Sequence, residues 1–250
     1  MNREPKGNAI ITGASRGIGE AISKIFAAEG YHVILVSRKA DALEKIKAAT
    51  LESGGSASVM AANMGNLADI RKLVSHIKEN FSGIDVLVNN AATNPYFGPM
   101  TEIDEPRYDK TWDVNMKGPF FLSNLLVPLM EGRPNPNIIH ISSVNAFRPP
   151  QDQGVYSLTK AAILALVQAQ AKELGPKGIR VNGLAPGLID TKFAQALVED
   201  PQRKASFIDH TPSGRVGQPD DIAQAALYLS SKGASYTNGT CLTVDGGYLA

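Results

Sequence analysis

The chain has one cysteine, Cys241, and four scattered histidines, His32, His76, His140 and His210, in 250 residues. A lone thiol closes no intramolecular disulfide, and no Cys/His cluster has zinc spacing, so a reducing compartment and no metal are expected. Charge of one sign is also lacking: 25 Lys and Arg stand against 24 Asp and Glu, with no block of five or six like charges. That balance lacks the electrostatic footprint that a nucleic-acid partner or an anionic membrane surface requires, so neither is expected as a partner. No apolar run approaches the roughly 18 residues of a membrane span, and the N-terminus MNREPKGN has neither the apolar core nor the cleavage site of a secretory leader. The expectation is a soluble intracellular protein. What is present, 43% apolar and 20% charged residues, suits a globular domain and excludes disorder and collagen-like repetition.

Short apolar, β-branched runs alternate with helical patterns along the whole chain, the pattern of βαβ units around a parallel sheet buried on both faces. Strands are expected at Asn8 to Thr12, His32 to Ser37, Ser56 to Ala61, Val86 to Asn90, Asn137 to Ser142, Arg180 to Ala185 and Cys241 to Val244. Helices are expected near 17–29, 40–53, 66–81, 104–130, 154–174 and 218–231. No repeat or linker divides them, so residues 1–250 read as a single α/β domain with a seven-stranded sheet and helices on both faces. Residues 188–216, with Phe193, Leu197, Phe207 and two prolines, break the alternation. An insertion of that length in a compact domain reads as a functional lid.

The first strand runs directly into Gly13-Ala14-Ser15-Arg16-Gly17-Ile18-Gly19 and then a helix, the context in which a glycine-rich loop cradles a pyrophosphate. Gly13 permits the tight turn, Gly17 admits a phosphate close to the backbone, and Gly19 lets helix and strand approach. The phosphates would lie at the positive helix N-terminus. The spacing is T-G-x-x-x-G-x-G, and with it come Asn89-Asn90-Ala91, Asn115, Ser143, Tyr156-x-x-x-Lys160, Pro186-Gly187-x-x-x-Thr191 and Asp245-Gly246-Gly247 in order. On these residues, which span nearly the whole chain, the sequence resembles the short-chain dehydrogenase/reductase family, and the resemblance implies a Rossmann fold and an oxidoreductase.

At the end of the second strand, roughly 20 residues past the glycines, NAD-binding folds carry an acidic residue for the ribose 2′-hydroxyl. This chain has Ser37-Arg38-Lys39 there. Ser37, Arg38 and Arg16 offer donors and positive charge to a 2′-phosphate, so NADP(H) is the expected cofactor. Asn63-Met64 stands where relatives place an aspartate at the adenine edge, and Asn63 can still donate and accept there. The resemblance further assigns Asn90 and Ala91 to the cofactor side of the fourth strand, with Ala92 replacing the family's glycine. It assigns Pro186, Gly187, the Ile189 backbone and the Thr191 hydroxyl to the nicotinamide end.

Tyr156 and Lys160 stand four apart on a helix and so share a face. A nearby ammonium favours phenolate, and lowering a phenol from about 10 to about 7 corresponds to roughly 4 kcal/mol, to which a lysine and an oxidised nicotinamide would both contribute. By the resemblance, Tyr156 exchanges the proton with the substrate oxygen and Ser143 hydrogen-bonds that oxygen. Lys160 also holds the nicotinamide ribose, and Asn115 anchors a water leading to Lys160. Cys241 and His140 read as core residues. A regulator of this fold without turnover would typically lack the tyrosine or lysine, and here all four residues stand.

The segments Asn89 to Gly98 and Leu184 to Phe193 resemble the NADP-dependent carbonyl and retinal reductases of the family, with 3-oxoacyl thioester reductases as the alternative. Phe97, Asn145, Phe147, Leu188 and Phe193 are expected around the substrate, a mostly apolar wall suited to hydrophobic ketones and aldehydes. The chain ends Tyr248-Leu249-Ala250 rather than in a peroxisomal tripeptide, so the cytoplasm is the expected setting. The helix from Val155 is apolar around most of its circumference, which implies a second covered surface. The family resemblance implies a homotetramer.

Overall fold

The computed structural model describes residues 6–195, 199 and 201–250, so Leu197 of the expected lid lies outside the described residues. The strands are β1 (Gly7–Thr12), β2 (Tyr31–Ser37), β3 (Ser56–Ala61), β4 (Val86–Asn89), β5 (Asn137–Ile141), β6 (Arg180–Pro186) and β7 (Cys241–Val244). They form one parallel sheet in the order β3-β2-β1-β4-β5-β6-β7. Expected and observed ends differ by a residue or so, because continuous apolar runs such as Val33 to Val36 mark strands buried on both faces. The order reverses between β1 and β4, where Ile10 pairs with Ile34 on one side and Leu87 on the other. In open α/β sheets ligands bind outside the carboxyl ends of the strands at such a reversal.

The crossover helices are α1 (Gly17–Ala28), α2 (Ala40–Glu52), α3 (Leu67–Asn80), α4 (Glu105–Trp112), α5 (Gly118–Met130), α6 (Gly154–Leu174), α7 (Pro201–Asp209) and α8 (Pro219–Ser230). One face of the sheet packs on α1, α2 and α8 through Phe26, Leu43 and Ile222. The other packs on α3, α5 and α6 through Ile70, Leu126 and Leu174. No helix among the described residues is long and apolar enough to cross a membrane.

The helix expected over 104–130 is not continuous. A π turn, Asp113–Lys117, separates α4 from α5. Pro119 in the first turn of α5 explains the break: an uninterrupted α-helix would require its missing N–H to reach the Asn115 carbonyl, against which its ring would also press. Such π turns mark functional sites, and this one carries Asn115. Helix α7 stands within the stretch read as a lid.

Candidate active site

Gly13 and Gly17 have φ of +67° and +56°, left-handed values that let β1 turn sharply into α1. A side chain at Gly19 would collide with the Gly13 carbonyl and the Asn90 amide. Asn90 ties the turn to the end of β4, donating to the carbonyls of Thr12 at 2.9 Å and Gly13 at 3.3 Å. The N–H groups of Asn90 and Ala91 donate to the Thr12 hydroxyl. Asn90 therefore shapes the loop through its side chain. The N-cap of α1, Arg16, makes no side-chain hydrogen bond to the first turn, so the helix terminus keeps its own donors for an anion.

A cavity of about 1290 Å³ opens above this turn and runs along the carboxyl edge of the sheet. That exceeds the roughly 300–1,000 Å³ of most single-ligand sites and has room for a dinucleotide and a second molecule. Gly13, Ser15, Arg16, Gly17, Ile18, Gly19, Ser37, Arg38, Asn63, Met64, Asn90 and Ala91 line one end. Ser37 donates to the Lys39 carbonyl at 3.3 Å. No ion pair engages Arg16 or Arg38 among the described residues. Asn63 Oδ1 accepts from Gly65 N, leaving its amide donors toward solvent and cavity. Met64 reaches the cavity wall, but its side chain is buried in the core with α3 and α5, so packing explains its apolar character.

At the other end Ser143, Tyr156 and Lys160 line the same cavity with Pro186, Gly187, Ile189 and Thr191. A Cβ on Gly17 would lie 3.1 Å from the Thr191 methyl, so the segment after β6 closes over the glycine turn. Tyr156 and Lys160 are buried on one face of α6. Lys160 Nζ lies 5.5 Å from the Tyr156 ring centroid and donates to the Ile141 carbonyl at 2.7 Å. Burial pushes the Tyr156 phenol up to about 12 against a hydrogen bond from Ser143, and burial lowers the Lys160 ammonium to about 8. Desolvation of the phenolate thus dominates at Tyr156.

Asn115 lies behind the cavity wall, 1% exposed. Its Oδ1 accepts from Thr93 N at 2.8 Å, and its Nδ2 donates to Thr93 O at 2.9 Å and Thr159 Oγ1 at 3.1 Å. Its side chain is therefore a tie between the π turn, the segment after β4 and α6. His140, also fully buried, bridges Gln170 Oε1 at 3.0 Å and Asn89 Nδ2 at 3.3 Å. Cys241 is only half-buried, because β7 is the sheet's edge strand.

Phe97, Asn145, Leu188 and Phe193 all reach the cavity, and the Phe193 ring centroid stands 5.9 Å from that of Tyr156. Phe147 does not. It is 49% exposed and outside the cavity, because the 3-10 turn Val144–Ala146 reverses the chain after Ser143 and directs the next side chain outward. Phe207 on α7 and Tyr248 were not read from the sequence as site residues, yet both line the cavity, their rings stacked at 4.6 Å. Gly246 and Gly247, with φ of +67° and +92°, fold the segment after β7 back against Pro212 and Ser213 and so bring Tyr248 to α7. The signal was the Asp245-Gly246-Gly247 turn. Gln153 was missed as well, and it too lines the cavity.

Residues 13–249 match a family model described as enoyl-(acyl carrier protein) reductase. Human dehydrogenase/reductase SDR family member 4 is 37% identical over 247 residues, covering 98% of this chain and 89% of that protein. Among solved structures, a putative NAD(P)-dependent gluconate 5-dehydrogenase from Beutenbergia cavernae, with bound NADP, superposes with a TM-score of 0.93 at 32% identity, covering 98% of this chain and 97% of the other. A 7α-hydroxysteroid dehydrogenase complexed with NADH and 7-oxo glycochenodeoxycholic acid gives 0.93 at 35%, covering 98% and 95%. With a Tyr-x-x-x-Lys helix and a glycine turn facing one cavity in such a sheet, the chain belongs to the short-chain dehydrogenase/reductase family and is an oxidoreductase.

Proposed function

We propose that this protein reduces hydrophobic ketones and aldehydes to alcohols with NADP(H). The observation that carries the reading is the placement of the Ser143 hydroxyl, the Tyr156 phenol and the Lys160 ammonium on one wall of a cavity whose other end is the glycine turn. The left-handed glycines and the uncapped α1 terminus suit a pyrophosphate, and Ser37, Arg38 and Arg16 suit a ribose 2′-phosphate. NADPH, when bound, supplies the hydride.

Ser143 and Tyr156 hold the substrate oxygen between their hydroxyls, and as the carbonyl is reduced Tyr156 passes its proton to that oxygen. In the oxidative direction the phenolate removes the alcohol proton. Lys160 supplies the positive charge that favours phenolate and holds the nicotinamide ribose. With one of its three donors on Ile141, two are left for those tasks. Asn115 holds the π turn through its side chain, which leaves the anchoring of a water toward Lys160 to its main chain. Pro186, Gly187, Ile189 and Thr191 face the nicotinamide end.

Phe97, Leu188, Phe193, Phe207 and Tyr248 make the substrate end mostly apolar. Each polyol hydroxyl left unpaired there would cost about 1–3 kcal/mol, which disfavours sugars. Residues 188–216, bearing α7, act as the lid. The test is initial rates of the purified protein on aryl and alkyl ketones beside acetoacetyl thioester, with NADPH and NADH. Ketones with NADPH are expected to lead. The second reading is 3-oxoacyl thioesters, which share with the family model's description only the acyl carrier and not the enoyl group, and a hundredfold thioester advantage would reverse the order.

The cytoplasm is the setting we propose. Exposed Tyr108, Phe120, Phe121 and Leu158 on α4, α5 and α6, and Leu242 on the edge strand β7, support a homotetramer with two kinds of contact.

A further inference from the structure

A buried polar network that the reaction does not use lies in the core below Ser143. His140 on β5, Asn89 on β4, Ser123 on α5 and Gln170 on α6 are each at most 4% exposed. Asn89 Nδ2 donates to Ser123 Oγ at 2.9 Å and to His140 Nδ1 at 3.3 Å. An amide nitrogen only donates, so Nδ1 is the acceptor and the ring proton sits on Nε2. Nε2 in turn donates to Gln170 Oε1 at 3.0 Å, and Gln170 Nε2 donates to Asn124 Oδ1 at 3.0 Å. Ser123 Oγ donates onward to the Pro119 carbonyl at 2.7 Å. An imidazolium would turn a second N–H onto the Asn89 amide, and burial keeps the ring neutral. Of the charged groups on the elements around it, Lys160 is the one whose field reaches the ring, and it too disfavours imidazolium. A position that needed only volume would take an aliphatic side chain, as Ile138, Ile139 and Ile141 do on the same strand.

The two residues after His140 on the chain hold Lys160. Ser142 Oγ donates to the Lys160 carbonyl at 2.8 Å, and Lys160 Nζ donates to the Ile141 carbonyl at 2.7 Å. The His140–Gln170 bond adds a tie ten residues further along α6, about 15 Å at the rise of a helix. Between these ties α6 buries Ile163, Leu166 and Val167. Aliphatic burial is non-directional, so it holds a helix on a sheet without fixing where the helix lies along it. A hydrogen bond fails outside a narrow range of distance and angle. We propose that His140 is a positioning residue for the reaction: through Gln170 it fixes the register of α6 on β5, and with it the approach of Tyr156 and Lys160 to Ser143. The inference rests on the reading above, in which those three residues serve one reacting oxygen.

The experiment compares the wild type with His140→Leu, Gln170→Leu, their double variant and His140→Gln, whose amide nitrogen can take the place of Nε2 and donate to Gln170. With NADPH and an aryl ketone, either leucine substitution is expected to lower kcat about tenfold or more while KM for NADPH stays within about twofold, because only the reacting groups are misplaced. The double variant is expected to fall no further than the single ones, since one bond is lost in each. His140→Gln is expected to keep most of the rate. With an alcohol and NADP+, where the phenolate is the base, the midpoint of the kcat profile is expected to rise by about half a pH unit or more in the leucine variants, as the ammonium is displaced from the phenol. Crystal structures read the cause without turnover: the separation of Ser143 Oγ and Tyr156 Oη is expected to lengthen by about half an ångström in the leucine variants. Gln170→Leu decides alone should His140→Leu fail to fold. Folded leucine variants with the wild-type kcat, pH profile and separation overturn the proposal, and the network then only fills the core. A wild type that reduces no ketone, with a lengthened separation in the variants, overturns the reductase reading and leaves the positioning role standing.

Discussion

Lys160 donates through Nζ to the Ile141 carbonyl at 2.7 Å while standing 5.5 Å from the Tyr156 ring centroid. The ammonium is thus held by the backbone of β5 at the level of the phenol, and both groups are buried. Each carries a desolvation penalty on its charged form, visible in a phenol pushed up to about 12 and an ammonium lowered to about 8. Charge brought into this cavity therefore acts on both at once.

Tyr156→Phe is expected to lower kcat by two to four decades while nucleotide affinity, read by fluorescence titration, stays near wild type. Only the proton donor is removed, and general acid catalysis supplies about that much. A variant keeping a third of wild-type kcat would remove Tyr156 from the mechanism.

Lys160→Met is expected to abolish activity yet raise stability at pH 7 by about 1–2 kcal/mol. The folded ammonium titrates near 8 against 10.5 unfolded, a penalty of about 3 kcal/mol at neutral pH that exceeds the lost Ile141 bond. From pH 8 to 10.5 the unfolded chain binds the extra proton, so wild-type stability rises and the variant's advantage shrinks. Urea unfolding at pH 7 and pH 10 reads both.

His140 makes the opposite end of the pH range costly. Burial lowers it to about 4, and its neutral ring meets both Gln170 and Asn89. From pH 6.5 down to about 4 the unfolded chain takes up a proton that the native one refuses, so stability falls as pH falls, by up to about 3 kcal/mol. Denaturant titrations at pH 7.5 and 4.5 are expected to show this loss and His140→Gln to lose that component. Equal slopes in both proteins would count against it.

Ser37→Asp is expected to reverse or erase a preference for NADPH, because a carboxylate at the end of β2 repels a 2′-phosphate and accepts from a 2′-hydroxyl. The readout is the ratio of kcat/KM for NADPH and NADH. Equal wild-type values would leave Arg16 and Arg38 with no role in selecting the nucleotide.

Light scattering at micromolar concentration is expected to give about four times the chain mass of 26.6 kDa. Phe120→Glu, placed on the exposed face where Phe120 and Phe121 pack edge to face at 5.2 Å, is expected to lower that mass. A wild-type monomer would contradict the assembly.

The strands, the glycine turn and the Tyr156–Lys160 pair were legible in the amino-acid sequence because each is local: a buried parallel strand is a continuous apolar run, the turn needs glycine at particular steps, and residues four apart on a helix share a face. What joined distant segments was not. Asn94, Asn145 and Gln153 come from different loops and meet only once β4, β5 and α6 are packed. Phe207 and Tyr248, 41 residues apart, stack because two left-handed glycines turn the chain back. Phe147 and Phe193 are both aromatic residues after a strand, and their opposite fates depend on a 3-10 turn that faces one to solvent and on a segment that lays the other against Tyr156. The sequence by itself determined which groups could exchange a proton. Only the tertiary structure decided how readily they hold charge, since desolvation depends on everything packed around a group rather than on its neighbours along the chain.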